Sequence, residues 1–89
     1  MDKQEWYILV MSKDEEPSKV YVEQIDFRNQ HFKEFKNVTI HFTNDMRYAL
    51  RIKHKELAEQ LKNVVQASVI TLKCDVVIID ERWFRVWVN

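Results

Sequence analysis

The side chains of this chain that could bind a metal ion are three histidines and one cysteine: His31, His41, His54 and Cys74. None of these positions has the short spacing, such as Cys-x-x-Cys or His-x-x-x-His, that directs two side chains toward one ion. Since zinc is normally held by three or four converging ligands, we expect these histidines to be at the surface or half-buried. The sequence predicts neither a metal site nor a cofactor.

Cys74 is the candidate thiol nucleophile, and its surroundings in the sequence are apolar. It alternates with Leu72 and Val76 on one face of a predicted strand. A reactive thiol needs an accessible, polarised position with a base nearby, so the pattern favours a buried Cys74. The adjacent acids at positions 14–16 are typical of a solvated loop, and no serine nucleophile motif is present. We therefore expect that the protein is not an enzyme.

A run of basic residues, called here the basic segment, could bind nucleic acid. It comprises Arg47, Arg51, Lys53, His54 and Lys55, with Tyr48 beside them. Arg47, Arg51 and Lys55 are spaced by four, which would align them on one face of a continuous helix. However, 14 Lys and Arg residues balance 14 Asp and Glu residues, whereas nucleic-acid-binding domains usually carry net positive charge. The segment is either a solvated surface or the site of a nucleic-acid-binding accessory protein.

The last predicted strand, residues 83–88, provides the candidate protein-binding site. If Phe84, Val86 and Val88 face a helix, then Trp83, Arg85 and Trp87 project from the opposite side of the strand. Trp and Arg are the residue types most enriched at binding hot spots. The alternative is that this side is also buried, against a second layer or a curled neighbouring strand.

The composition indicates one domain, residues 1–89, with one modest core. The apolar fraction of 46% and aromatic fraction of 12% are typical of a globular chain. The chain has no glycine, which excludes Gly-rich phosphate loops and the Rossmann fingerprint, so we expect no nucleotide chemistry of the familiar kinds. We also expect no small-molecule substrate. One cysteine, no long apolar run and a polar N-terminal segment predict a cytoplasmic protein that does not bind membranes.

Alternating apolar and polar residues predict five strands. These strands are residues 6–11, 19–27, 37–43, 68–79 and 83–88. Residues 6–11 are apolar on both faces, which is typical of a central strand. The first two strands form an antiparallel hairpin around a charged loop. The segment 28–36 is open to two interpretations: a short helical turn held by Phe32 and Phe35, or a basic loop.

Residues 55–66 are the principal predicted helix, preceded by a short turn over 46–50 that Asn44 or Asp45 can cap. One apolar stripe follows the helix, formed by Leu57, Ala58, Leu61, Val64 and Val65. The predicted fold class is α+β, with a five-stranded, mainly antiparallel sheet, one main helix on one face and the order β-β-β-α-β-β. The strand after the helix can be parallel or antiparallel. We expect the stripe to pack on a sheet face. The predicted helix residues in this contact are Leu57, Leu61 and Val64. The predicted sheet residues are Leu72, Val76, either Ile8 or Leu9, and either Phe84 or Val86.

The stretch 43–65 resembles a pattern found in small uncharacterised bacteriophage and prophage proteins. The matching residues are Asp45, Ala49, Arg51, Ile52, Lys55, Glu56, Ala58 and Leu61. The resemblance covers about a quarter of the chain and implies a phage-like origin, hence the cytoplasm of a host cell. It implies no activity, because that group has no catalytic motif.

The width of the predicted sheet indicates that a second molecule is needed. Five strands span roughly 20–25 Å and one helix about 10–12 Å, so a single helix covers only about half of one face. We therefore expect a twofold dimer through Trp83 and Trp87, or a host protein on that face, unless the sheet curls on itself. The predicted function is protein–protein binding by a phage-type protein; the alternatives are the nucleic-acid-binding accessory protein and a purely structural homo-oligomer.

Overall fold

A computed structural model describes residues 5–14, 18–27 and 38–81, which form an α+β fold with a four-stranded antiparallel sheet. The elements are β1 (Glu5–Ser12), β2 (Lys19–Asp26), β3 (Thr39–Thr43), a 3-10 helix (Met46–Tyr48), α1 (Lys55–Ser68) and β4 (Lys73–Asp80). The strand order is β3-β2-β1-β4. The predicted fifth strand, residues 83–88, and the ambiguous segment 28–36 lie outside the described residues.

β1 is one of the two inner strands of the described sheet, as its two apolar faces predict. It pairs antiparallel with β2 on one side and with β4 on the other. Ile8 faces one side of the sheet and Leu9 and Met11 the other, and all three are fully buried. Burial on both faces explains why this strand has no alternating polar residues.

The sheet opens between β1 and β2, and the chain itself fills the gap. β1 and β2 pair only near the hairpin, from Val10–Tyr21 to Ser12–Lys19. Beyond that point Leu50 donates its N–H to the Val22 carbonyl (2.9 Å). Ile52 and Tyr7 then exchange two backbone hydrogen bonds of 2.8 and 2.9 Å. Residues 50–52 therefore satisfy backbone groups of both separated strands, an arrangement that the sequence did not predict.

β4 lies antiparallel to β1, which decides between the two placements left open by the sequence. Its register runs from Glu5–Asp80 to Ser12–Lys73. The strand begins later than predicted, at Lys73 rather than at 68, because α1 continues to Ser68 and residues 69–72 connect the two elements. Val69 and Leu72 still pack against the core, although they are not in a strand. Their apolar side chains had suggested a longer strand.

α1 packs on β1 and β4, and its buried face is rotated from the predicted one. Ala58 and Val65, seven residues apart, are fully buried, and Leu61 packs against the same core cluster. Leu57 was predicted to point inward, but its side chain is 45% exposed. The helix approaches the sheet along the Ala58–Val65 row, so Leu57, about 100° around the axis from Ala58, lies at the edge of the contact.

The two faces of the sheet carry separate core clusters. On the side of α1, the fully or nearly fully buried residues are Leu9, Met11, Val22, Ile52, Ala58, Val65 and Cys74, and the predicted contacts Leu72 and Val76 pack against them. On the opposite side, Ile8, Val10 and Ala49 form the buried set, with Trp6 and Met46 against it. The short turn thus covers part of the face away from the helix.

Candidate protein-binding surface

The predicted protein-binding residues Trp83, Arg85 and Trp87 lie outside the described residues, so that site stays a prediction. The predicted helix contacts Phe84 and Val86 lie outside them too. The described strand nearest to them in sequence, β4, is one of the two outer strands of the described sheet. Its Val77 and Ile78 are both exposed.

The basic segment does not form the continuous helix that would align its side chains. The 3-10 helix ends at Tyr48, Ala49 is extended, and α1 begins only at Lys55. Between them, the backbone of Ile52 is bound to β1. Arg47, Arg51 and Lys55 therefore do not share one helical face, because the condition for their alignment, a continuous helix, is not met.

Arg47 is bound to the capping residue of the 3-10 helix. Asp45 Oδ1 accepts a hydrogen bond from the Arg47 backbone N–H (2.9 Å). The Arg47 Nε group donates to Oδ1 at 3.0 Å and to Oδ2 at 2.9 Å, and its Nη2 group also contacts Oδ2. These hydrogen bonds lower the pKa of the Asp45 carboxyl below its ordinary value. The charge of Arg47 is thus largely balanced by Asp45.

Two arginines of the basic segment lie over aromatic rings. The Arg47 guanidinium carbon is 5.6 Å from the centre of the Tyr48 ring, and that of Arg51 is 5.8 Å from the Trp6 ring. Lys53, His54 and Lys55 are exposed, as are the two arginines. Unpaired nucleic-acid bases stack on aromatic side chains, and a neighbouring arginine adds a cation–π contribution to such a site.

Cys74 is buried and unsuited to nucleophilic chemistry. Its side chain is 1% exposed, and burial raises the pKa of the thiol to about 11. A thiol that stays protonated at neutral pH is a poor nucleophile and a poor metal ligand. Within residues 5–14, 18–27 and 38–81, no group of three or more His, Cys, Asp or Glu side chains is placed to hold a metal ion. His31 lies outside those ranges.

An open groove lies where the β1–β2 hairpin approaches the connection from α1 to β4. Its volume is about 600 Å³, and Lys13, Asp14 and Lys73 line it together with Gln66 and Ile70. The Gln66 amide is already bound to three backbone groups. The lining therefore offers two lysines and one carboxylate around an exposed Ile70, and this mixture selects for no particular ligand.

An apolar surface lies on the half of the sheet that α1 leaves uncovered. α1 packs on β1 and β4, whereas β2 and β3 occupy the other half of the same face. We call this the β2–β3 apolar surface; it comprises Ile25, Ile40 and Phe42 of the sheet, Phe27 directly after β2, and Leu57 of α1. Phe27 and Phe42 are 38% and 40% exposed, while Ile25 and Ile40 are half-buried.

The pairing register and the helical repeat place four of these side chains, Ile25, Ile40, Phe42 and Leu57, on one side. Phe42 lies opposite Val22, and Ile40 lies opposite Ile25; Val22 and Ile25 both belong to the cluster on the side of α1. Gln66 and Leu57 are nine residues apart, two and a half helical turns, so they lie on opposite sides of α1. Because Gln66 binds the start of β4, Leu57 faces the β2 half of the sheet.

Sequence reasoning did not identify this surface, although one signal pointed to it. The predicted sheet is about twice as wide as one helix, so one helix covers about half of a sheet face. The two widths do not indicate which half is covered, because the strand order and the rotation of α1 depend on long-range pairing.

Within the described part of the chain, no helix is both long enough and apolar enough to cross a lipid bilayer.

Comparisons with protein families, with curated proteins and with solved structures find no match for this chain. Its function is therefore inferred from the geometry of the described residues.

Proposed function

We propose that this chain is a non-catalytic, cytoplasmic protein that acts by binding another protein, of a phage or of its bacterial host. The observation that carries the proposal is the β2–β3 apolar surface. Leu57, Phe27 and Phe42 are each more than one-third exposed, and Ile25 and Ile40 are half-buried. Exposed apolar and aromatic side chains on one face are typical of protein-binding sites.

The charges nearest to Leu57 in the sequence support a protein partner over an extended phosphate backbone. Lys53, Lys55, Glu56 and Glu59 are all exposed, so charges of both signs surround the apolar side chain. An apolar centre with a mixed polar rim is the usual anatomy of a protein–protein interface. A phosphate backbone would instead favour charges of one sign.

The proposal retains the C-terminal segment as a second contact. Residues 83–88 would add a fifth strand to the sheet, with Trp83, Arg85 and Trp87 on one side of it. This side would bind either a second copy of the chain or the partner protein. Trp87→Ala would then weaken the contact, which sedimentation of the variant measures.

Affinity capture from bacterial lysate with three forms of the protein tests the main proposal. Leu57→Glu places a charge on the β2–β3 apolar surface, at a position where glutamate suits the first turn of a helix. Ile70→Glu is the matched control, because Ile70 is 87% exposed in the connection that follows α1. We expect a captured protein to be lost with Leu57→Glu and kept with Ile70→Glu. Identical capture by all three forms would contradict the proposal.

Nucleic-acid binding is the second candidate, favoured by the position of Arg51 over Trp6 next to the exposed Lys53 and Lys55. Its test is a salt titration of binding to a fluorescent single-stranded oligonucleotide. Phosphate contacts would make the logarithm of the affinity fall linearly with the logarithm of the salt concentration. Replacing Lys53 and Lys55 by Gln would reduce that slope by about 1–2. Absence of binding at low salt would exclude this candidate.

A further inference from the structure

Among the described strands, β3 is an outer one, and its outward backbone groups can be identified from the hydrogen bonds of β2. The Val22 carbonyl accepts from Leu50, so the backbone groups of Val22 are directed toward β1 and away from β3. Phe42, which lies opposite Val22, is therefore in a non-hydrogen-bonded pair. The N–H and C=O groups of Phe42, and those of Ile40 two residues earlier, point away from β2.

The side chains of β3 do not protect this edge. Exposed edge strands are usually protected by lysine, proline, a bulge or an inward charge. β3 has the sequence Thr-Ile-His-Phe-Thr, without an acid, lysine, arginine or proline. The irregularity in the β2–β3 pair lies between Val22 and Gln24, on the β2 side. An uncharged edge with outward N–H and C=O groups is suited to pair with another strand.

The sequence of β3 is self-complementary about His41. Reversing Thr-Ile-His-Phe-Thr leaves a threonine at each end, an apolar residue at each inner position and histidine at the centre. When two copies of β3 pair antiparallel with His41 at the centre, Ile40 of one copy lies opposite Phe42 of the other. The backbone N–H and C=O groups of Ile40 and Phe42 point toward the other copy. Each such pair can therefore exchange two backbone hydrogen bonds.

We propose that two copies of this chain associate through β3, antiparallel about a twofold axis at His41, and form one continuous sheet. Ile40 and Phe42 lie on the side of α1, so the pairing joins the β2–β3 apolar surfaces of the two copies and covers part of the exposed Phe42. His41 meets the partner's His41, and Thr39 meets the partner's Thr43, on the opposite side.

This interface does not depend on the proposed function or on a contact through Trp83 and Trp87. β3 and β4 are the two outermost strands of the described sheet, and the β3 pairing uses the edge remote from β4. The capture experiment depends on Leu57, which is outside the proposed strand pair. The two proposals can therefore fail separately.

Cysteine cross-linking tests the register. In a non-hydrogen-bonded antiparallel pair the Cα atoms are about 4.5 Å apart, within the range of a disulfide. We expect His41→Cys to convert the 10.9 kDa chain to a species of twice that mass on mild oxidation. Thr39→Cys alone would not cross-link, since two such positions would be about 13 Å apart along the strands. A mixture of Thr39→Cys and Thr43→Cys would cross-link.

The controls are the wild type, which retains the buried Cys74, and Ile70→Cys in an exposed connection. The proposal is overturned if His41→Cys cross-links no faster than Ile70→Cys. It is also overturned if Thr39→Cys cross-links with itself as fast as His41→Cys does, because this result would require another register.

Sedimentation provides a second test without cysteine. Phe42→Pro removes the outward N–H but none of the hydrogen bonds to β2, and proline is tolerated in edge strands. Phe42→Ala also removes the aromatic ring but keeps the N–H. We expect a concentration-dependent dimer for the wild type, a weaker dimer for Phe42→Ala and a monomer for Phe42→Pro. A wild type that stays monomeric at all concentrations overturns the proposal and leaves this edge to a strand of another protein.

Discussion

The side-chain Oε1 atom of Gln66, near the end of α1, accepts a hydrogen bond of 2.9 Å from the backbone N–H of Cys74 in β4. The Nε2 group of the same side chain donates to the carbonyl oxygens of Val69 (3.0 Å) and Leu72 (2.7 Å). One amide therefore joins the helix, the connection after it and the first residues of β4. Gln66 thus links α1 to the start of β4.

Replacing Gln66 by Ala is expected to lower the free energy of unfolding by about 1–3 kcal/mol. The variant loses three hydrogen bonds, and two carbonyl groups and one N–H group must then be satisfied by water. Gln60→Ala is the matched control: it makes the same substitution on the exposed side of α1 and should change stability by less than about 0.5 kcal/mol. Urea unfolding measures both. Equal stability of the two variants would contradict the role of Gln66.

The rotation of α1 is tested by the same substitution at two leucines. Leu61 packs against the core cluster, so Leu61→Ala should lower the free energy of unfolding by about 2–3 kcal/mol. Leu57 lies at the edge of the contact, and Leu57→Ala should cost less than about 1 kcal/mol. Thermal unfolding of the two variants measures the difference. A larger loss for Leu57→Ala would mean that the stripe faces the sheet as the sequence predicted.

Burial of Cys74 predicts a loss of stability at alkaline pH. In the folded protein the pKa of the thiol is raised from an ordinary value of 9.0 to about 11. The unfolded chain therefore ionises first, so the stability is fully present below about pH 9 and is lost as the pH rises toward 11. The loss is on the order of 2–3 kcal/mol.

Cys74→Ala lacks the thiol but keeps the other groups that titrate at alkaline pH, so it is the control for this prediction. We expect the free energy of unfolding of the wild type to fall more steeply than that of Cys74→Ala between pH 9 and 11. Parallel curves for the two proteins would mean that Cys74 is not buried in the folded state. A thiol reagent at neutral pH should then also modify the native wild type rapidly.

The contact between Asp45 and Arg47 predicts a loss of stability at acidic pH. Hydrogen bonds from Arg47 lower the pKa of Asp45 below its ordinary value of 3.8. The stability that this contact contributes is fully present above the ordinary pKa of the carboxyl. It is lost as the pH falls through the lower pKa that Asp45 has in the folded protein. An NMR titration of the Asp45 carboxyl measures the effect. In Arg47→Gln the pKa should return toward its ordinary value, and an unchanged pKa would contradict the assignment.

For the candidate sites, the sequence identified the basic segment as a run of residues but not its geometry. Four-residue spacing aligns Arg47, Arg51 and Lys55 only in a continuous helix, and the backbone bonds of Ile52 to Tyr7 interrupt that helix. The β2–β3 apolar surface was not foreseen as a site. The exposure of Phe42 depends on which strands α1 covers, and no local pattern carries that information.

For the described residues, the sequence by itself determined the order of the strands and the main helix. Residues 6–11 are apolar on both faces and become an inner strand, and the 55–66 pattern becomes α1, because side-chain periodicity is a local property of the backbone. Only the tertiary structure decided that β4 is antiparallel to β1, that residues 50–52 fill the gap between β1 and β2, and that Leu57 is exposed. These features depend on which backbone groups and side chains meet across long sequence separations. The periodic pattern of one strand or helix does not specify which other element it pairs with or packs against.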